Sequence, residues 1–260
     1  MFPVLFHFDS FAIHSYGFFI ALGYLVALFA MIRIGKKQSV SMAHLVDLAF
    51  FSLLAGLVGA RILFVLTNFS YYWKNPVEIF YVWEGGLVFF GGILTAIPFL
   101  LFYIRRNKLP VRASLDILAV GLSIGHAFGR IGCLGAGCCH GKACDLPWAI
   151  KINSDLVDPL LRNTPIHPTQ IYEAASLFIL FIFLWQKTKH KIFNGQVALL
   201  YLMSYAVIRS IIEMFRGDSI RGFLVPGLVS TSQCISLLTF ALAFYFYRKW
   251  LAENRGTTVS

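Results

Sequence analysis

Three arginines lie inside or at the end of strongly apolar runs: Arg61, Arg130 and Arg209. A charged side chain within a membrane span is costly to insert, so such a residue is normally paired or functional. Ion pairs with Glu213 or Asp116 are one explanation. A phosphate site is the other, because the planar guanidinium donates two hydrogen bonds to a phosphate at once. The presence of three such arginines favours the phosphate site.

The stretch HPTQIYE, residues 167–173, places an imidazole, an amide and a carboxylate where a later apolar segment begins. Its proline is typical of a first helical turn, so the stretch predicts a helix start. We expect His14, Tyr16, His126 and His167 at the same membrane level. A neutral imidazole there is a candidate base, because the pKa of histidine lies close to neutral pH.

Four cysteines fall in one short stretch, at Cys133, Cys138, Cys139 and Cys144. Zinc sites usually show pairs of Cys-x2-4-Cys knuckles, and this spacing does not provide such pairs. Packing of small apolar side chains, or a disulfide on an oxidising outer face, is therefore favoured over a metal site. The sequence predicts no metal ligands and no cofactor.

Glycines are dense in the same part of the chain. Gly121, Gly125 and Gly129 recur at helical spacing and predict a close helix contact. The segment 132–141 is so rich in glycine that irregular backbone lining a cavity is expected there. The exposed amides of such a segment are able to bind a phosphate or an oxyanion.

The composition predicts an integral membrane protein. Of 260 residues, 58% are hydrophobic and only 13% are charged, with mean hydropathy +0.73. The surplus apolar side chains must face lipid. We expect an all-α protein with about seven transmembrane helices, a single membrane domain over residues 1–252 and a tail at 253–260. The predicted spans are 16–33, 45–67, 85–104, 114–132, 171–186, 195–213 and 227–247.

Basic residues are concentrated in alternate loops, after the first, third, fifth and seventh spans. The positive-inside rule then predicts an outer N-terminus and a cytoplasmic C-terminus, with the loop 133–170 forming a head region on the periplasmic side. The net charge of +10 is therefore explained by the membrane orientation of the basic loops and by their attraction to anionic lipid. No nucleic-acid partner is expected. Arg162, Arg216 and Arg221 lie on the predicted outer side, where an anionic ligand would explain them.

Seven stretches together resemble the prolipoprotein diacylglyceryl transferase family. They follow one another in family order along most of the chain: residues 15–17, 59–61, 83–86 with 91–92, 129–141, 167–173, 205–209 and 215–216. Each stretch alone is a weak signal, whereas the ordered set is specific.

The resemblance implies a multi-pass enzyme of the bacterial inner membrane. Such enzymes transfer the diacylglyceryl group of phosphatidylglycerol to the lipobox cysteine of a preprolipoprotein, form a thioether and release glycerol phosphate. The implied partners are phosphatidylglycerol, the lipobox peptide and membrane lipid, with no cofactor.

The resemblance, combined with the chemistry of a leaving phosphate, assigns roles to particular residues. The expected catalytic residues are Arg130, Arg209, His126, His167 and Tyr16. The expected substrate-binding residues are Arg130, Gly141, Tyr205, Arg61, Gln170, Glu173 and Arg216.

Two departures from the family pattern keep other functions open. Phe90 stands where the common form has a histidine often proposed as the base, and Cys133 and Cys138 stand where asparagine and glutamate are frequent. The alternatives are a lipid-binding or transport protein on the same fold, or a redox or metal protein using the segment from Cys133 to Cys144.

Overall fold

The computed structural model describes residues 4–8, 11–38, 40–82, 85–153, 157, 159–217, 223–225 and 229–257. Most of this part of the chain is helical. The helices are α1 (Ser15–Gly35), α2 (Met42–Thr67), α3 (Phe69–Tyr72), α4 (Phe89–Arg106), α5 (Val111–Ala136), α6 (Thr169–Lys187), α7 (Gln196–Glu213) and α8 (Thr231–Thr257). The sequence features at Trp83, Glu84 and Arg221 lie outside the described residues.

Six of these helices are long and apolar enough to cross a membrane: α1, α2, α4, α5, α6 and α7. They coincide with the first six predicted spans and confirm an all-α integral membrane fold. The seventh predicted span falls on α8, which is long but carries polar residues at both ends. Helix α8 continues to Thr257, so the residues from Glu253 to Thr257 are helical, and the tail at 253–260 stays a prediction.

The chain divides into two compact units, one of residues 32–114 and one of residues 1–31 with 115–260. In the first unit, α2 and α4 pack backbone to backbone. A Cβ on Gly59 would collide with the Thr95 side chain and the Gly91 carbonyl. The Thr95 hydroxyl donates to the Ala55 carbonyl at 2.7 Å. Small residues thus allow two apolar helices to approach closely, as is common in membranes.

In the other unit, α1 packs along α5 on the predicted glycine ridge. A Cβ on Gly125 would touch Ala27 at 3.5 Å, and one on Gly121 would overlap Met31 at 2.6 Å. The ridge therefore confirms the close helix contact expected from its spacing.

Asp116, which is fully buried on α5, joins that helix to the start of α7. Its carboxylate accepts from the Gly195 amide at 2.9 Å, the Ala198 amide at 3.0 Å and the Lys191 ammonium at 3.0 Å. A carboxylate at a helix N-terminus is electrostatically favourable. Asp116 therefore pairs with a lysine here, rather than with one of the three arginines.

In the part of the chain that the structure describes, three short antiparallel strand pairs accompany the helices. They are β1 (Val4–Phe8) with β2 (Phe11–His14), β3 (Ile150–Lys151) with β4 (Pro165–Ile166), and β5 (Phe223–Val225) with β6 (Val229–Ser230). The second pair belongs to the predicted head region and contributes Ile166 to a small core with Ile152 and Val157. Helix α5 reaches Ala136, so irregular backbone begins at Gly137 and not at Gly132 as predicted.

Candidate active site

An arginine on α5 and a glutamate on α6 form the centre of the site. The Arg130 Nη2 atom lies 3.1 Å from Oε1 of Glu173, whose side chain is only 2% exposed. The Tyr205 hydroxyl on α7 donates to the same oxygen at 3.0 Å. Glu173 stands in the second turn of α6, near the positive end of that helix. Three helices thus converge on one buried carboxylate.

His126 precedes Arg130 by one helical turn, so the two side chains share a face of α5. The Arg130 Nε–H donates to His126 Nε2 at 3.3 Å. The imidazole packs against the Tyr205 ring, with centroids 5.1 Å apart, and Tyr205 stacks on Tyr201. The guanidinium is therefore oriented from two directions, by an imidazole and by a carboxylate.

Arg209 follows Tyr205 by one turn on α7. Its Nη2 atom lies 2.7 Å from Oε2 of Glu213, which also accepts from the Ser232 hydroxyl at 3.4 Å. Its Nη1 atom is buried and has no hydrogen-bond partner among the described residues. Arg130 and Arg209 are both close enough to His126 and Tyr205 to act on them electrostatically. The site therefore holds two guanidinium groups, and one of them retains an unused buried donor.

Three cysteine sulfurs converge beside this centre. The Sγ atoms of Cys133, Cys138 and Cys139 all lie within 4.8 Å of one another. Cys133 follows Arg130 by three residues on α5, which places both on one helix face. Hydrogen bonds from the Cys133 and Cys138 thiols, with the positive charges of Arg130 and Arg216, lower the pKa of the Cys139 thiol below its ordinary value.

The first turn of α6 holds the cysteine segment in place. The Thr169 hydroxyl donates to the Cys139 carbonyl at 2.9 Å, and Gln170 Nε2 donates to the Cys138 carbonyl at 2.7 Å. The side-chain oxygen of Gln170 is buried without a hydrogen-bond partner among the described residues. Glu173 follows one turn later, so one helix start positions both the cysteines and Arg130.

Comparisons with known proteins show which family this chain is similar to. The sequence pattern of the family described as prolipoprotein diacylglyceryl transferase matches residues 3–248. A Clostridium tetani protein named phosphatidylglycerol–prolipoprotein diacylglyceryl transferase is 33% identical over 246 residues, covering 94% of this chain and 96% of that protein. Proteins of the same name are 32% identical in Lactobacillus delbrueckii subsp. bulgaricus (98% of this chain, 95% of that protein) and 35% identical in Bordetella parapertussis (90% of each).

The chain belongs to the prolipoprotein diacylglyceryl transferase family. The predicted family resemblance is confirmed, and with it the assignment of the chain as a transferase.

The surroundings of Tyr16, His167 and His14 differ from one another in this family member. Tyr16, at the start of α1, is half exposed and borders Gly132, close to Arg130 and the cysteines. His167 contacts the Tyr172 hydroxyl at 3.3 Å through Nδ1, and its ring lies 5.1 Å from that of Phe215. His14 is exposed at the end of β2.

Gly141 and Arg216 face each other in a backbone bridge. The Gly141 amide donates to the His167 carbonyl at 3.2 Å, and the Lys142 amide donates to Phe215. A Cβ on Gly141 would collide with His167 and approach the Phe215 carbonyl at 3.0 Å. Backbone packing therefore explains this glycine, and its predicted contact with a lipid headgroup stays a prediction.

Arg61 belongs to the unit of residues 32–114. It is 7% exposed and donates to the carbonyls of Glu78, Ile79, Gly85 and Gly86 at 2.6–3.2 Å. Gly85 and Gly86 both adopt positive φ angles that suit glycine. Arg61 thus ties a glycine turn to α2, which gives it a structural role, while its predicted substrate contact stays untested.

Sequence reasoning missed two features of the site. Tyr201, one helical turn before Tyr205, stacks on the Tyr205 ring. The spacing of four residues between the two tyrosines could have predicted this contact. The convergence of three cysteine sulfurs had no such signal, because it depends on Cys139 adopting a positive φ of 59°.

Proposed function

We propose that this protein transfers the diacylglyceryl group of phosphatidylglycerol to the lipobox cysteine of a prolipoprotein, forming a thioether and releasing glycerol phosphate. The names of its relatives specify this reaction for those proteins. One observation in the chain itself carries the proposal. Arg209, which acts electrostatically on the same His126 and Tyr205 as Arg130, has a buried Nη1 group with no partner among the described residues, and a phosphate oxygen would satisfy it.

The chemistry requires stabilisation of negative charge on the leaving group. The substrate sulfur attacks the terminal carbon of the diacylglyceryl group, the carbon–oxygen bond breaks, and the electron pair leaves with the phosphate. Guanidinium donors fixed in a buried site stabilise such charge without reorganising. Arg130 and Arg209 are assigned this role, and the bidentate geometry of arginine suits phosphate oxygens.

The neighbours of the arginines set their geometry. Glu173 and Tyr205 hold Arg130, and Glu213 holds Arg209. His126 Nε2 already accepts a hydrogen bond from Arg130, so protonation there would break that bond and place a cation between two guanidinium groups. We therefore assign His126 to positioning Arg130. His167, whose ring is not committed to a guanidinium by the contacts described, is the candidate acceptor of the thiol proton.

Tyr16, Gln170 and Arg216 are proposed to line the path of the substrates around this centre. The placement follows from their proximity to the cysteine segment and Arg130. The apolar helices make the protein a multi-pass membrane protein. Its location in the bacterial inner membrane, with an outer N-terminus and the head region on the periplasmic side, is proposed from the alternation of basic loops.

Incubation of the purified protein in detergent with phosphatidylglycerol and a lipobox peptide tests the function. Mass spectrometry should show a diacylglyceryl adduct on the peptide, and glycerol phosphate should appear in equal amount. A peptide with serine in place of cysteine is the matched control. Lipid binding without any peptide adduct, under conditions where a relative from Clostridium tetani is active, would refute the proposal.

A further inference from the structure

The sulfur atoms of Cys133, Cys138 and Cys139 lie close together in an arrangement that neither apolar packing nor one disulfide bond would explain. A disulfide joins two cysteines, whereas Cys133, Cys138 and Cys139 all meet within 4.8 Å and are free thiols. Zinc–sulfur bonds of about 2.3 Å in a tetrahedral site separate ligand sulfurs by roughly 3.8 Å. Movements of about 1 Å or less would therefore bring these sulfurs onto one ion.

The backbone around the cysteines is held in an unusual conformation. Cys139 has a φ of 59°, in the left-handed region that non-glycine residues seldom adopt, and Gly137 has a φ of 76°. The hydrogen bonds from Thr169 and Gln170 fix the two carbonyls of this turn. Such conformations persist where the surroundings enforce them, often at ligand sites. Here the turn brings Cys138 and Cys139 to the sulfur of Cys133 at the end of α5.

The charges around the cluster favour bound thiolates. Arg130 and Arg216 both act electrostatically on Cys139. Three thiolates around a divalent cation carry a net negative charge, and buried charge needs a compensating partner. Soft thiolate ligands select ions such as Zn(II) and Cu(I) over magnesium or calcium.

We propose that Cys133, Cys138 and Cys139 bind a thiophilic ion of the Zn(II) class, with a fourth position open for the thiol of the acceptor peptide. Three protein ligands and one open position are typical of catalytic zinc. This inference rests on the proposed transfer to a cysteine thiol. The inference goes beyond the family assignment, because it adds a metal site next to Arg130.

The metal would activate the attacking sulfur. A thiol that coordinates such an ion is deprotonated outright, and its proton passes to His167, the acceptor proposed above, and from there to water. The bound thiolate then forms the sulfur–carbon bond as the carbon–oxygen bond breaks, and glycerol phosphate departs with the electron pair. The ion is neither oxidised nor consumed.

Cobalt(II) is the probe for this site, because tetrahedral cobalt thiolates have strong charge-transfer and visible bands. The reduced, chelator-treated full chain in detergent should bind one equivalent and lose the bands when Zn(II) is added. Cys138→Ser and Cys139→Gly should abolish the bands, and the second change suits the positive φ at that position. Cys144→Ser and Cys234→Ser are matched controls that should retain them. A cysteine lipobox peptide should alter the spectrum, whereas its serine counterpart should not.

The absence of bands in the reduced wild type, bands that survive both ligand changes, or a spectrum that ignores the cysteine peptide would each overturn the inference. Full transferase activity in metal-free protein would also overturn it while leaving the proposed function intact. Conversely, a cobalt site that responds to the peptide in a protein that never transfers a diacylglyceryl group would refute the function and leave the metal site standing.

Discussion

Arg130 on α5 and Glu173 on α6 form a buried ion pair, with Nη2 of the arginine 3.1 Å from Oε1 of the glutamate. The same oxygen accepts from Tyr205, and the arginine also donates to His126. Removing one member of a buried ion pair lowers stability by more than the intact pair contributes, because the remaining charge is buried without a partner. We therefore expect the carboxylate to hold Arg130 in position.

Replacing Glu173 by glutamine tests this positioning role. The amide keeps the shape of the side chain but weakens the bonds from Arg130 and Tyr205. Charge-assisted hydrogen bonds contribute about 1.5–3 kcal/mol each, so kcat/KM should fall by about 10-fold or more. Steady-state transfer to a lipobox peptide measures the effect.

Glu253→Gln, on an exposed part of α8, is the matched control for this charge change and should leave the rate unchanged. Tyr205→Phe removes one of the two bonds and should have the smaller effect. A Glu173→Gln variant with the rate of the wild type would show that the ion pair does not orient Arg130.

His126 is expected to act through Arg130 and not as a base. His126→Gln retains an oxygen that can accept from Arg130 and should keep activity within about 10-fold of wild type, since a lost general base costs about 10²–10⁴. His126→Leu loses the acceptor and should be worse. Measuring the transfer rate of both variants across a pH series decides whether His126 is a base. Loss of a base would lower the rate of both variants equally and change the dependence of the rate on pH.

Gly141→Ala is expected to destabilise the protein. The added methyl group would meet His167 and the Phe215 carbonyl, and overpacking typically costs about 1–3 kcal/mol. The thermal unfolding midpoint in detergent should therefore fall by several degrees. Gly17→Ala is the control, because nothing lies within 4 Å of its Cβ position. Equal midpoints for the two variants would contradict the crowding at Gly141.

Arg61→Ala should destabilise the chain for a different reason. Four backbone carbonyls would lose their donor, and hydrogen bonds from a charged group contribute about 1.5–3 kcal/mol each. The thermal midpoint should fall clearly, while Arg106→Ala at the exposed end of α4 should not change it. A folded, stable Arg61→Ala protein that binds phosphatidylglycerol poorly would instead give Arg61 the predicted substrate role.

Composition and patterning predicted the membrane helices well, because surplus apolar side chains have one physical explanation. The buried arginines were also identifiable, since a charge in an apolar run demands a partner or a ligand. The pairing of Arg209 with Glu213 follows from their spacing on one helix. The pairing of Arg130 with Glu173 needed the fold, because the two residues are 43 positions apart and lie on different helices.

The cysteine cluster shows why part of the site was not predictable. Linear spacing did not resemble a zinc motif, so packing or a disulfide was favoured. The sulfurs converge because α5 extends past Gly132 to Ala136 and the following turn reverses through a left-handed Cys139. A glycine-rich sequence allows both helix and loop, and tertiary contacts with Thr169 and Gln170 decide between them.

The rate of diacylglyceryl transfer by Arg209→Lys, compared with Arg106→Lys, tests the central claim most directly. Lysine keeps the charge but lacks the planar fork that serves Glu213 and a phosphate oxygen together. Removal of a donor to a developing oxyanion costs on the order of 10²–10³ in kcat, and that loss is predicted for Arg209→Lys with the fold intact. Wild-type turnover in folded Arg209→Lys would contradict the assignment of this site to the leaving phosphate.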